Sequence, residues 1–284
     1  FIYNDGSSDA YRVLLKDGKA EFVPDQEKYK EGLEWLAGLY EKGLIDPAAY
    51  TQPADQYKQM GMSSDAVFVV AAGCAPIAFT QMGSERMGEY VALPPLTGPD
   101  GVSYTAYNPI GMTGGAFAIT NANQNPVETI KWIDYLYSEE GTRRANEGRE
   151  GEEWVKPEEG VLGINGEQAE WQRARSLDDV QNVVWQGMSV GAVTEHYRLS
   201  EVAGEIGTTE GFEAFMYQET KNKYDGHQPE EFLPEVYVLP EDLDEMAQIK
   251  GPLHDYVEQS AAKFITGAMD LDTEWDSYIE NLKK

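Results

Sequence analysis

The stretch from Gly114 to Glu147, GGAFAITNANQNPVETIKWIDYLYSEEGTRRANE, most constrains the fold. It opens on two glycines and a short apolar run, Ala116 to Ile119, which reads as a strand. Turn formers follow from Thr120 to Asn125, and then Pro126. A proline in the first helical turn loses no hydrogen bond, because its N–H would have had no partner there. Asn125 is placed to cap the helix, and Glu128 favours its positive end. Val127, Ile130, Ile133, Leu136 and Tyr137 recur at helical spacing. Gly141 breaks the pattern, and a second short helix is expected from Arg143 to Gly148. The unit is a strand, a turn and an amphipathic helix.

Around it the chain alternates strand and helix. Asp17-Gly18 predicts a hairpin turn between Arg12–Leu15 and Ala20–Val23. Asp25 to Lys42 reads as a helix capped by Asp25 and ended by Gly43, with Tyr29, Leu33, Leu36, Ala37 and Tyr40 as its apolar stripe. A short helix is expected over Ala54–Met60, then a buried strand over Ala66–Ala71 ending at Gly73-Cys74-Ala75-Pro76. Tyr90–Leu96 reads as another strand. The order predicts an α/β architecture, helix-rich around a mixed sheet.

Beyond Gly148 the chain turns acidic and irregular. Helices are expected over Glu167–Arg175, Leu177–Gln186, Thr194–Ile206 and Glu210–Tyr224. Another runs from Glu241 past Gln259, with Leu243, Met246, Ile249, Leu253, Tyr256, Val257 and Phe264 apolar. Gly251-Pro252 should kink or divide it. Asp272 is expected to cap a last helix bearing Trp275, Tyr278, Ile279 and Leu282. Trp35, Trp132 and Trp275 fall in helical patterns and are expected in the core.

Composition excludes some partners. Fifty acidic against 22 basic residues give a net charge of −28. Nucleic acid and anionic membrane surfaces both need basic patches, so neither is an expected partner. The single cysteine, Cys74, rules out an intrachain disulfide and sits in an apolar run that suits a buried thiol. No apolar run approaches the ~20 residues of a membrane-crossing helix. The chain begins at Phe1-Ile2-Tyr3 without a Met, which reads as a piece of something longer. No phosphate-binding, dinucleotide or zinc signature occurs, so no cofactor or metal is expected. Asp270-Leu271-Asp272 lacks the remaining oxygen ligands of a calcium loop.

Several ordered stretches resemble one family. They are Asp17-Gly18-Lys19; Tyr29 through Gly43-Leu44-Ile45-Asp46-Pro47; Leu93-Pro94-Pro95-Leu96 with Gly98-Pro99-Asp100-Gly101; Gly114 to Gly141; Glu150-Gly151 with Trp154; and Ala262–Gly267 with Asp270, Asp272 and Trp275–Tyr278. Together these are similar to bacterial extracellular solute-binding proteins of family 1, the capture proteins of sugar-type ABC importers. The resemblance implies a periplasmic-binding-protein-like type II fold, mainly its C-terminal lobe. Residues 1–113 and 149–284 would form that lobe, with 114–148 crossing to an N-terminal lobe mostly outside this chain. It further implies a monomeric, non-catalytic protein that holds a carbohydrate, an oligosaccharide, between two lobes and passes it to membrane permease subunits. Such proteins sit at the extracellular face of the cytoplasmic membrane or in the periplasm, and the lipid anchor would lie in a region outside this chain.

A sugar site needs flat aromatic faces, with amides and carboxylates for the hydroxyls. The candidate ligand-binding residues are Trp154 and Glu152 in the acidic loop, Tyr104, Tyr107, Asn108 and Met112 before the crossing, Trp185, and Gly73 with Cys74. A carbohydrate-active enzyme fragment using Glu152 and Asp178 is one alternative, although adjacent carboxylates do not by themselves make a glycosidase pair. A cell-surface interaction module that takes no part in transport is another.

Overall fold

The computed structural model describes residues 12–63, 76–105, 115–175, 181–185, 190–233 and 238–284. The strand expected at Ala66–Ala71, half of the helix expected at Leu177–Gln186, and Asp178 lie outside them, and residues 181–185 of that expected helix are irregular. The chain divides into two compact units. The first is 1–53, 94–112 and 224–284; the second is 54–93 and 113–223.

In the first unit, β1 (Val13–Lys16) and β2 (Lys19–Phe22) form the expected antiparallel hairpin, with Val13 opposite Phe22 and Lys16 opposite Lys19. Asp17 and Gly18 both take positive φ, 52° and 70°, as a two-residue hairpin turn of matching twist requires. A 3₁₀ turn over Val23–Asp25 leads into α1 (Glu27–Glu41), so Gln26 rather than Asp25 occupies the cap position. Gly43 at φ 69° ends α1, and Leu44 N–H reaches back to the Leu39 carbonyl at 3.0 Å. This bond satisfies a carbonyl that the helix itself leaves open.

Tyr29 and Leu33 of α1 are buried. Trp35 is 57% exposed, contrary to expectation, because position 35 lies off the Tyr29–Leu33–Leu36–Tyr40 stripe.

After a 3₁₀ turn over Pro47–Tyr50, the second unit begins with α2 (Ala54–Met62) and α3 (Glu85–Gly88). Gly61 of α2 lies against the backbone of Phe79, where a Cβ would come within 1.7 Å of the carbonyl oxygen. The expected strand at Tyr90–Leu96 forms no ladder. Instead Ala92 N–H donates to the Glu219 carboxylate at 2.5 Å, and Lys223 Nζ donates to the Ala92 carbonyl at 2.9 Å. Side chains thus take the place of a partner strand. Residues 116–119 are likewise irregular, not a strand.

The helix of the opening motif, α4 (Pro126–Tyr137), forms as expected. The chain turns sharply at Ser138, whose hydroxyl accepts from Gly141 N–H at 3.0 Å and caps α5 (Glu139–Asn146). Ile133 and Leu136 of α4 are buried, whereas Val127 and Ile130 are exposed. Trp132, expected in the core, is 51% exposed, since it faces away from the Ile133–Leu136 side. Fully buried Thr142 ties α5 down by donating to the Leu136 carbonyl and accepting from Ala192 N–H.

Residues 167–175 are extended, not helical. β3 (Trp154–Val155) pairs antiparallel with β4 (Gln172–Arg173). Backbone bonds from Ala169 to Val161 and from Glu170 to Ser200 continue this extended path. The helix expected over Thr194–Ile206 is only α6 (Glu195–Leu199), because Glu201 and Val202 leave it to bridge Trp171 and Gly163. α7 (Phe212–Lys223) closes the unit. Among the described residues the sheets are two separate two-stranded pairs rather than one mixed sheet.

Back in the first unit, α8 (Leu243–Thr266) runs unbroken for 24 residues through Pro252. Its early apolar residues, Leu243 and Ile249, are about half exposed, so only the later part of the expected stripe is core. α9 (Leu271–Leu282) is capped by Asp270, not Asp272. The Asp270 carboxylate accepts from the backbones of Asp272 and Thr273, and the Thr273 bond is the main cause of its lowered pKa. α1 packs on α8, and α8 on α9. Their shared core is Val23, Tyr29, Leu33, Phe264, Ile265, Trp275 and Tyr278. Burying each of the large side chains contributes about 1.5–3 kcal/mol.

Candidate functional site

The second unit carries a dense group of polar and aromatic side chains built on the extended chain at 169–173. Strand alternation turns Ala169, Trp171 and Arg173 inward and leaves Gln168 and Gln172 exposed. Trp171, Trp154 from β3 and Tyr197 from α6 form one buried aromatic cluster. The rings of Trp171 and Tyr197 stack 5.3 Å apart, and Trp171 Nε1 donates to the Tyr197 carbonyl at 2.9 Å.

Two arginines flank these rings. The Arg143 guanidinium, from α5, lies 5.1 Å from the Trp154 ring centre and 5.7 Å from that of Tyr197. Arg173 lies 5.1 Å from the Trp171 ring centre. Each arginine also meets carboxylates. Arg173 grips Glu147 through Nε at 2.7 Å and Nη2 at 3.1 Å, while its Nη1 donates to Glu201 at 2.8 Å. The Tyr197 hydroxyl donates to Glu147 at 3.2 Å. Burial, with the Glu147 carboxylate beside it, pushes the Tyr197 phenol well up. Burial likewise pushes the Glu201 carboxyl up to about 7, against the attraction of Arg173.

Arg143 also lines an open groove of about 500 Å³, together with Lys156, Pro157, Glu159, Gln168, Ala169 and Glu170. Arg143 Nη2 pairs with Glu139 at 2.6 Å and lies 3.6 Å from Glu170, which also meets His196 Nε2 at 3.2 Å. The Gln168 amide is committed to the backbones of Gly160, Glu158 and Ala169. Of the charged groups lining the groove, Arg143, Lys156 and Glu170 are thus engaged in ion pairs. Next to Trp154 in sequence, Arg149 clamps Glu153 with three hydrogen bonds, which hold that carboxyl down to about 2.

Among the sequence candidates, Trp154 is 7% exposed and is part of the buried cluster, not a bare loop aromatic. Glu152 is exposed and pairs with Arg149 at 2.5 Å. Trp185 is 51% exposed, its backbone N–H bonded to the Ala145 carbonyl. Tyr104 is 40% exposed and belongs to the first unit, beside Thr105, whose N–H donates to the His227 carbonyl. Tyr107, Asn108, Met112, Gly73 and Cys74 lie outside the described residues. Arg143, Glu147, Trp171, Arg173, Tyr197 and Glu201 were missed from sequence. The alternation Ala169-x-Trp171-x-Arg173 was the available signal.

No protein-family model matches the chain. It is 28% identical to the fructooligosaccharide ABC transporter substrate-binding protein FusA of Streptococcus pneumoniae serotype 4, over 98% of this chain and 50% of FusA. The structure of FusA in complex with kestose superposes with a TM-score of 0.67 at 25% identity, covering 95% of this chain and 53% of that one. An extracellular solute-binding protein from Bifidobacterium longum subsp. infantis gives 0.64 at 19% identity, covering 99% and 56%, and shows the fold alone. The chain thus spans about half the length of the relatives it matches. It is a homologue of FusA, an ABC transporter substrate-binding protein, and has over that span the type II periplasmic-binding-protein-like fold.

Proposed function

We propose that this chain is part of the substrate-binding component of an ABC importer. It takes an oligosaccharide between two lobes and delivers it to membrane permease subunits, as a monomeric, non-catalytic protein. The observation that carries this reading is the similarity to FusA along 98% of the chain. FusA is described as a fructooligosaccharide-binding protein, and its structures hold kestose and fructo-nystose. A fructose-containing oligosaccharide is accordingly the solute to try first. Residence at the extracellular face or in the periplasm, with a lipid anchor, belongs to the same reading.

Half-exposed Trp185 and Tyr104 retain open aromatic faces on which a sugar ring can stack, and exposed Glu152 can accept from hydroxyls. Buried Trp154 packs against Arg143, which lines the groove. Tyr107, Asn108, Met112, Gly73 and Cys74 complete the proposed contacts. For the lobes, exposed Val127 and Ile130 on α4 favour 114–148 as the segment that visits the N-terminal lobe.

The test is thermal unfolding with and without kestose, using the whole protein to which the chain belongs. A ligand present at ~100 times its Kd adds about 2.7 kcal/mol of stability. A saturable rise in Tm is expected. The reading fails if no oligosaccharide shifts Tm while the protein hydrolyses one.

A further inference from the structure

The ionic groups around the buried Trp171 and Tyr197 do not balance. Two carboxylates, Glu147 and Glu201, each with about 7% of the side chain exposed, share the single guanidinium of Arg173. They are not equally served. Among the described residues, Glu147 receives two nitrogens of the Arg173 fork and the Tyr197 hydroxyl, whereas Glu201 receives Nη1 alone. The other charges facing Glu201 are of both signs. From α6 comes Arg198, which is itself paired with Glu213 of α7. Two buried anions on one cation leave a negative charge without solvent to spread it, and burial of such a charge is costly. The less satisfied carboxylate is the one that can relieve it by taking a proton.

We propose that Glu147, Arg173 and Glu201 form a proton-linked lock in the second unit: one proton enters at Glu201 when this unit folds, and its loss on raising the pH loosens the packing of Trp171 and Tyr197. The raised Glu201 pKa, about 7 against an ordinary 4.5, agrees with this geometry. A carboxyl whose folded pKa lies above its unfolded value binds an extra proton in the folded state. Its contribution to stability therefore declines as pH rises from about 4.5 towards 7 and stays low above that. The lock does not depend on the transport reading, since it concerns only this unit's own stability.

The experiment is urea unfolding of the full chain between pH 5 and 8, followed by tryptophan fluorescence, for the wild type and Glu201→Gln. The neutral amide mimics the protonated carboxyl. Relative to Glu201→Gln, the wild-type unfolding constant should rise by up to about tenfold per pH unit within the window. Parallel pH curves overturn the proposal. Carbon-13 NMR of the wild type labelled at glutamate carboxyls keeps the test open if the variant does not fold. One carboxyl titrating near neutrality supports the lock, and none above ~6 refutes it. If that signal survives in Glu201→Gln and disappears in Glu147→Gln, the proton sits on the wrong carboxylate and the assignment fails.

Discussion

Phe264, Trp275 and Tyr278 of the first unit meet one another, whereas Trp154, Trp171 and Tyr197 of the second meet guanidinium groups as well. In the first unit the Phe264 ring packs edge-on to Tyr278 at 5.6 Å, and Trp275 lies 5.0 Å from the same tyrosine. Among the described residues the one polar tie of the Tyr278 hydroxyl is its donation to the Pro24 carbonyl at 3.2 Å. This is cohesion by apolar area, which is non-directional and insensitive to proton concentration. In the second unit the rings lie against Arg143 and Arg173, which are held in place by Glu139, Glu147 and Glu201. Such cohesion fixes geometry closely, but it depends on every charge having its counterpart. The contrast teaches that equal burial of aromatic side chains does not mean equal chemistry of stabilisation.

Removing the central cation tests that contrast most severely. Arg173→Leu leaves Glu147 and Glu201 buried without their counter-charge, at a cost of about 3–5 kcal/mol. The loss should be greater at pH 8 than at pH 5, because protonation relieves the stranded carboxylates. Urea unfolding at both values measures it, and an equal loss at both would break the distinction between the units. Phe264→Ala opens a cavity in the first unit and should cost about 3–5 kcal/mol, with the same value at both pH settings. A marked pH dependence there would show that the first core is not purely apolar. Tyr278→Phe removes only the hydroxyl that meets Pro24, so about 1 kcal/mol is expected from the same unfolding curves. A much larger loss would place that hydroxyl, rather than the ring, at the centre of the first core.

What the sequence disclosed follows the same divide. The β1–β2 hairpin, α1, α4, α7 and α9 were legible, because turn residues and helical stripes are local signals. The resemblance pointed to the fold that the FusA comparison then showed. The second unit's interior was not legible. Glu167 to Arg175 has good helix formers, yet the segment is extended because its partners, Glu153, Val161 and Ser200, lie at distant positions. Arg173 reads as a surface residue until Glu147 and Glu201, 26 and 28 positions away, are brought beside it. Trp35 and Trp132 misled for a simpler reason: helical context does not say which side of a helix a residue occupies. Trp154 was singled out for its acidic neighbours, but one of them, Glu153, is tied off by Arg149.

Pro252 gives α8 an uneven character along its length. The proline has no N–H, so the Gln248 carbonyl receives no helical bond from it. The turns before it are almost wholly solvated, while Val257, Ser260, Phe264 and Ile265 after it are buried. A helix of this length extends ~36 Å, and its buried side chains lie in its later part. The early turns can open and re-form without disturbing the core, so that α8 acts as a fixed post bearing a compliant arm.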